Sequence, residues 1–260
     1  MIAWVDDLPV GWLIVVMFAG TALVTAGVYL AVMRVARGKH AAAIKGLSPG
    51  MLPPLGLIFG LIVGFLVAGL WGDLSDARTA VDQEASSLRA AVLVSSAAFP
   101  GRPEAHIRAL IAQHIREAAD REWPAMARRH ATLTVISIPL ARALDYAIKL
   151  HPHGEGQVTA QGELVTSLEN ALDARRQRII ISGSTVSWVR WTAVIALAVL
   201  TLLAIAFVHS DHRLTAAIAM GVFAAAVAVT LVLIAAQDRP FSGQFGVKPD
   251  VLLQVLPRGS

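Results

Sequence analysis

Charged side chains along this chain fall in clusters separated by four long gaps. Leu8–Met33, Gly46–Gly72, Trp191–Ser210 and Leu214–Gln237 contain no Asp, Glu, Lys or Arg. At ~1.5 Å rise per residue, each gap holds about the 20 residues that a helix needs to cross a hydrocarbon layer of ~30 Å. The pattern predicts an all-α integral membrane protein with four transmembrane helices, over about 8–33, 50–72, 191–209 and 214–237. They form two hairpins, within residues 1–72 and 191–237, around a polar insert over 73–190 and ahead of a tail over 238–260. Trp4, Trp12, Trp71, Trp188 and Trp191 stand at the ends of these stretches, where interfacial anchors are expected. The first gap follows Asp6 and Asp7 rather than a basic segment, and it is too long for the core of a secretory signal.

The insert reads as helical. Ala77, Ala80, Val81, Ala85, Leu88 and Val92 recur at helical spacing, so the second membrane helix is expected to continue to Ala98. Phe99-Pro100-Gly101-Arg102-Pro103 breaks it. Glu104–Glu122 resumes with Ile107, Leu110, Ile111 and Ile115 on one face. Pro124 suits the first turn of a further segment that reaches Leu150 with an interruption at Pro139. After a loop over His151–Gln157, Gln161–Ser187 is expected as a helix running unbroken into the third membrane helix.

Composition narrows the function. Only 15% of residues are charged and mean hydropathy is +0.63, against about 25% charged in soluble domains. That excludes a disordered chain and argues against an ordinary soluble enzyme. With no cysteine, disulfides, thiolate catalysis and Cys-ligated metals are excluded. A net charge of +4 is too small to point to nucleic acid. His106/His114, His151/His153 and His209/His212 lack an obvious third ligand, so no metal is expected. No nucleophile elbow or phosphate loop appears either, which gives no catalytic residues, no enzyme and no cofactor.

The second membrane helix carries Gly56-x-x-x-Gly60-x-x-x-Gly64, a groove of small residues that lets another helix approach closely. Its use is either contact within one subunit or self-association around an oligomer axis. In the second case Phe59 and Phe65 would form an apolar constriction, and Asp73, Asp76 and Glu84 a ring of charge at its mouth. The spans hold no Asp, Glu, Lys or Arg to serve as a proton relay or substrate anchor, so a passive pore fits better than coupled transport. The competing class is a non-conducting scaffold or sensor whose insert binds another protein. The short first loop, with Arg34, Arg37, Lys39 and Lys45, points to the cytoplasm. Arg175, Arg176, Arg178 and Arg190 argue the reverse orientation.

Two stretches resemble the bestrophin-like membrane proteins of bacteria. In Phe59–Arg89 the matching positions are Phe59, Gly60, Gly64, Phe65, Trp71, Asp73, Val81, Glu84, Ala85 and Leu88. Asp238-Arg239-Pro240-Phe241-Ser242-Gly243 is similar to a signature that follows the family's last membrane helix. Glu122-Trp123-Pro124, Arg175 and Arg178 also fall where that family has similar residues. Asp76-Ala77-Arg78 is similar to a motif of bestrophins proper, whereas Leu66 and Val67 depart from their polar or basic residues. The resemblance implies a homo-oligomeric ion channel, typically a pentamer, in the bacterial inner membrane. It also implies a pore lined by the second helix and a cytosolic insert. Trp71, Arg78, Arg175, Arg178, Asp238, Arg239, Pro240 and Phe241 then form a structural signature, with the last four clamping the tail onto the insert. Pro257–Ser260 resembles the remnant of a protease site.

Overall fold

A computed structural model describes residues 10–36, 48–128, 131, 136–184, 187–242 and 246–256. Trp4, the cations Arg37, Lys39 and Lys45, Gly243 and Pro257–Ser260 lie outside them. Every regular element among the described residues is helical. The chain divides into two compact units, one made of Met1–Trp71 with Thr185–Asp238, the other of Gly72–Ser184 with Arg239–Ser260.

The first unit contains α1 (Val10–Val35), the beginning of α2 (Leu52–Ala98), α7 (Trp188–Val208) and α8 (Arg213–Gln237). All four helices are long and apolar enough to cross a membrane. Ser48 caps a 3-10 turn at Pro49–Met51, and Pro53 and Pro54 occupy the first turn of α2, where no intrahelical donor is lost. No proline follows until Pro100, and the helix runs for 47 residues. Packing rests on small residues: Ala198, Ala204, Ala206, Ala216, Ala224 and Ala228 are buried, while Leu23, Leu57, Val222 and Leu214 are exposed. Lipid tails are as apolar as leucine, so close packing rather than leucine burial joins such helices. The Thr21, Thr25 and Thr201 hydroxyls donate to carbonyls one turn back on their own helices, which leaves no bare donor in an apolar medium. Trp12, Trp71 and Trp188 are exposed as interfacial anchors would be, but Trp191 is buried with Phe59, Leu66 and Val194.

The second unit contains the rest of α2, then α3 (Arg102–Glu117), a π-helical turn (Ala118–Glu122), α4 (Trp123–Ala127), α5 (Ile138–Ile148), α6 (Glu155–Ser182) and α9 (Asp250–Leu253). Its core is that of a soluble helical protein, with Leu88, Ile107, Ile111, Leu140, Leu164 and Leu168 fully buried. Gly101, at φ 91°, turns the chain between α2 and α3, a conformation that side chains with a Cβ disfavour.

Three boundaries differ from the sequence expectation. Pro139 does not interrupt a helix; it sits in the first turn of α5, which Ser137 caps. α6 starts at Glu155, earlier than Gln161. It also ends at Ser182 instead of entering the third membrane helix. Around Gly183 the Ser182 and Ser184 hydroxyls donate to Ile179 and Ile181 carbonyls, and Ser187 caps α7 by accepting from Arg190 N. Such local bonds offer the backbone an alternative to the helical ladder.

Candidate functional site

In the first unit α2 has two unlike faces. Phe59, Leu66 and Leu70 are buried among Trp191, Val194, Val227 and Ile234, with the Phe59 ring 5.4 Å from that of Phe223. Leu57, Gly60, Leu61, Gly64 and Phe65 are exposed, and an added Cβ at Gly56, Gly60 or Gly64 would meet no atom within 4 Å. The glycine groove is therefore not filled by the subunit's own helices in this unit. Phe59 and Phe65, expected together in one constriction, do not share a face. Six residues at ~100° each place them about 120° apart, whereas Phe59 and Leu66, seven apart, nearly coincide. Phe59 is a packing residue; Phe65, 72% exposed, is the phenylalanine left for an external surface.

Of the three acids expected at a mouth, Asp76 is exposed and Asp73 half-buried, but Glu84 is fully buried. Glu84 belongs to the apolar face of α2 in the second unit, between Val81 and Leu88, and so cannot contribute charge to a mouth. Its oxygens accept from Arg178 Nε at 2.7 Å and Nη2 at 3.1 Å, and Oε1 lies 2.9 Å from His114 Nε2. Arg178 Nη2 also donates to Glu122 Oε2 at 2.8 Å, and Arg175 Nε and Nη2 donate to Glu122 Oε1 at 2.8 and 2.6 Å. The Arg178 guanidinium stacks 4.4 Å from the centre of the Trp123 ring. Two carboxylates and two guanidiniums thus form one network, extended by His114 to the Ser137 hydroxyl at 2.8 Å. The π-helical turn places Glu122 and Trp123, adjacent in sequence, on the same guanidinium.

Burial alone would raise the Glu84 carboxyl above the usual range. The Arg178 charge, with the hydrogen bonds of His114 and of Arg178 itself, outweighs it and holds the group below that range. Glu122 follows the same pattern: burial opposes ionisation, while Arg178 and Arg175 together prevail.

The tail signature closes over this network. Phe241 packs edge-on against Trp123 at 6.0 Å, Trp123 Nε1 donates to Val247 O at 2.9 Å, and Val247 N donates to Pro240 O at 2.7 Å. Pro240 and Phe241 are buried, Asp238 and Arg239 half-buried, and Arg78 exposed. Sequence reasoning missed His114 and Ser137 as members of the network. The signal was there: His114 falls on the face of Leu110, Ile111 and Ile115, where a polar side chain needs a buried partner. Ser137, His114 and Glu84 also line up as a nucleophile, base and acid would. All three are buried, though, and the acid is committed to Arg178. Among the described residues no group of three or more His, Asp or Glu side chains is placed to hold a metal ion.

The sequence model of the family described as "Bestrophin-like domain" matches residues 19–252. Among solved structures, a variant of a bacterial bestrophin homolog from Klebsiella pneumoniae aligns with a TM-score of 0.70 at 13% identity, covering 93% of this chain and 97% of that one. Another structure of a bestrophin homolog from that organism gives 0.70 at 12%, covering 93% and 95%. At such identities the likeness is one of fold. No curated protein matches the chain.

Proposed function

The chain belongs to the bestrophin-like family, and on that premise we propose that it is a passive ion channel, a homo-oligomer with α2 nearest the axis. The observation that carries this reading is the two-faced α2 of the first unit: one face is packed and another, glycine-notched face is open. Small residues admit close helix approach, and an open face of this kind suits a neighbouring copy of the same helix. Gly56, Gly60 and Gly64 then meet the neighbouring copy, and the exposed Phe65, about 140° round the helix from Gly60, is the phenylalanine left for the conduction path, without Phe59. Asp73 and Asp76, without Glu84, supply the charge at its mouth. No Asp, Glu, Lys or Arg interrupts the four apolar stretches, so movement is passive and needs no cofactor. The partners are inorganic ions, the lipids of a bacterial inner membrane and further copies of the chain, a pentamer being the expected assembly.

Gly60→Leu tests the reading. A Cβ at Gly60 meets open space within the subunit, so the fold survives while the proposed contact between copies is blocked. The expected result is a smaller assembly by native mass in detergent, or lost ion flux in liposomes. Unchanged mass together with unchanged flux contradicts the assignment of this face.

A further inference from the structure

His114 is buried with both ring nitrogens engaged, Nε2 at 2.9 Å from Glu84 Oε1 and Nδ1 at 2.8 Å from Ser137 Oγ. An ionised Glu84 is an acceptor only, so Nε2 carries a proton whatever the charge of the ring. In the neutral ring Nδ1 is therefore bare and accepts the Ser137 hydroxyl proton. Ser137 Oγ keeps a lone pair for Leu140 N, 3.4 Å away, and so caps α5. Each donor has an acceptor in this state. A protonated ring donates from Nδ1 instead. Ser137 Oγ then receives both His114 and Leu140, and its own O–H loses its acceptor at a buried position.

The charged groups of the network that His114 joins come from three elements. α2 presents Glu84, the π-helical turn Glu122, and α6 Arg178 and Arg175, two acids against two bases. α5 presents the Ser137 hydroxyl and a helix N-terminus, whose amides disfavour a cation. We propose that His114 and Ser137 form a protonation-sensitive latch in which the neutral ring holds the start of α5 and the protonated ring releases it.

Hydrogen exchange of the full chain in detergent or liposomes tests this, from about pH 8 to about pH 5. After correction for the intrinsic pH dependence of exchange, protection of the Leu140 and Ala141 amides should fall about tenfold, the ratio set by one hydrogen bond of ordinary net strength. The Ala141 amide reports on the same turn because it bonds to Ser137 O at 3.0 Å. His114→Gln should abolish the response. Ser137→Asp should invert it, because a carboxylate cap accepts from an imidazolium but gives no proton to the neutral ring. A role confined to packing would not change the sign. Flat protection in the unaltered protein, a persisting slope in His114→Gln, or an unchanged sign in Ser137→Asp each overturns the latch. Should His114→Gln fail to fold, Ser137→Asp decides alone.

Discussion

Replacing Arg178 with Met probes the network most severely. The side chain is fully buried and makes three charge-assisted hydrogen bonds, two to Glu84 and one to Glu122, besides its stack on Trp123. At about 1.5–3 kcal/mol per charged hydrogen bond, their sum is roughly 4.5–9 kcal/mol. The whole sum is not lost, because Glu122 keeps Arg175 and Glu84 keeps His114. Removing one partner of a buried pair usually costs about 3–5 kcal/mol, and that is the expected loss near neutral pH. Its pH dependence is the sharper signature. With Arg178 present, the carboxyls of Glu84 and Glu122 sit below their unfolded range. Their contribution is therefore complete above the ordinary Glu value of about 4.3 and fades as pH falls through the folded values. Without Arg178, burial pushes Glu84 above that range, so the variant regains stability on mild acidification as Glu84 takes up a proton. Denaturant unfolding in detergent, followed by circular dichroism at about pH 7 and about pH 5, measures both effects. A loss below ~1 kcal/mol, or a deficit that does not shrink with acid, would refute the reasoning. Replacing Glu84, Glu122 and Arg178 together by apolar residues of similar volume should recover much of the loss, since no charge is then left unpaired.

Phe59→Ala should cost about 3 kcal/mol of stability by emptying a packed site, whereas Phe65→Ala should leave unfolding unchanged and alter ion flux or assembly; equal effects on unfolding contradict the two-faced α2. Trp123→Phe removes the bond to Val247 O and weakens the Arg178 stack, so protease cleavage after residue 238 should quicken severalfold, and an unchanged rate counts against the clamp. Asp76→Asn, at an exposed acid, should shift the balance of cation over anion flux while Glu84→Gln at matched protein level does so only through stability; identical selectivity changes contradict their separation.

Much of the fold was legible because hydrocarbon imposes a simple rule: about 20 residues without charge. The four gaps correspond to the four helices apolar enough to cross a membrane, with ends within a few residues of expectation. Helix spacing also carried α2 correctly through to Ala98. Phe59 and Phe65 share a residue type but not a face, because residues six apart lie about 120° round a helix. Glu84 carries the charge of a surface acid, yet Ala77, Val81, Leu88 and Ala91 put it at the centre of a buried stripe. Arg178 and His114 occupy equivalent places on α6 and α3, and three ionisable residues on three apolar faces require one another. The π-helical turn left no comparable mark, since a single wide turn depends on what Glu122 and Trp123 find across the core. The break after Ser182 did have a signal, the run Ser182-Gly183-Ser184-Thr185, which the apolar spacing on either side obscured.

The central claim is conduction, and ion flux into liposomes containing the purified protein tests it most directly, with anion and cation gradients applied separately. A passive pore gives flux above that of empty liposomes, reduced by substitution at Phe65 and unaffected by collapse of a proton gradient. Absence of flux for every ion, from protein shown to be inserted and oligomeric, would contradict it and leave a scaffold in its place.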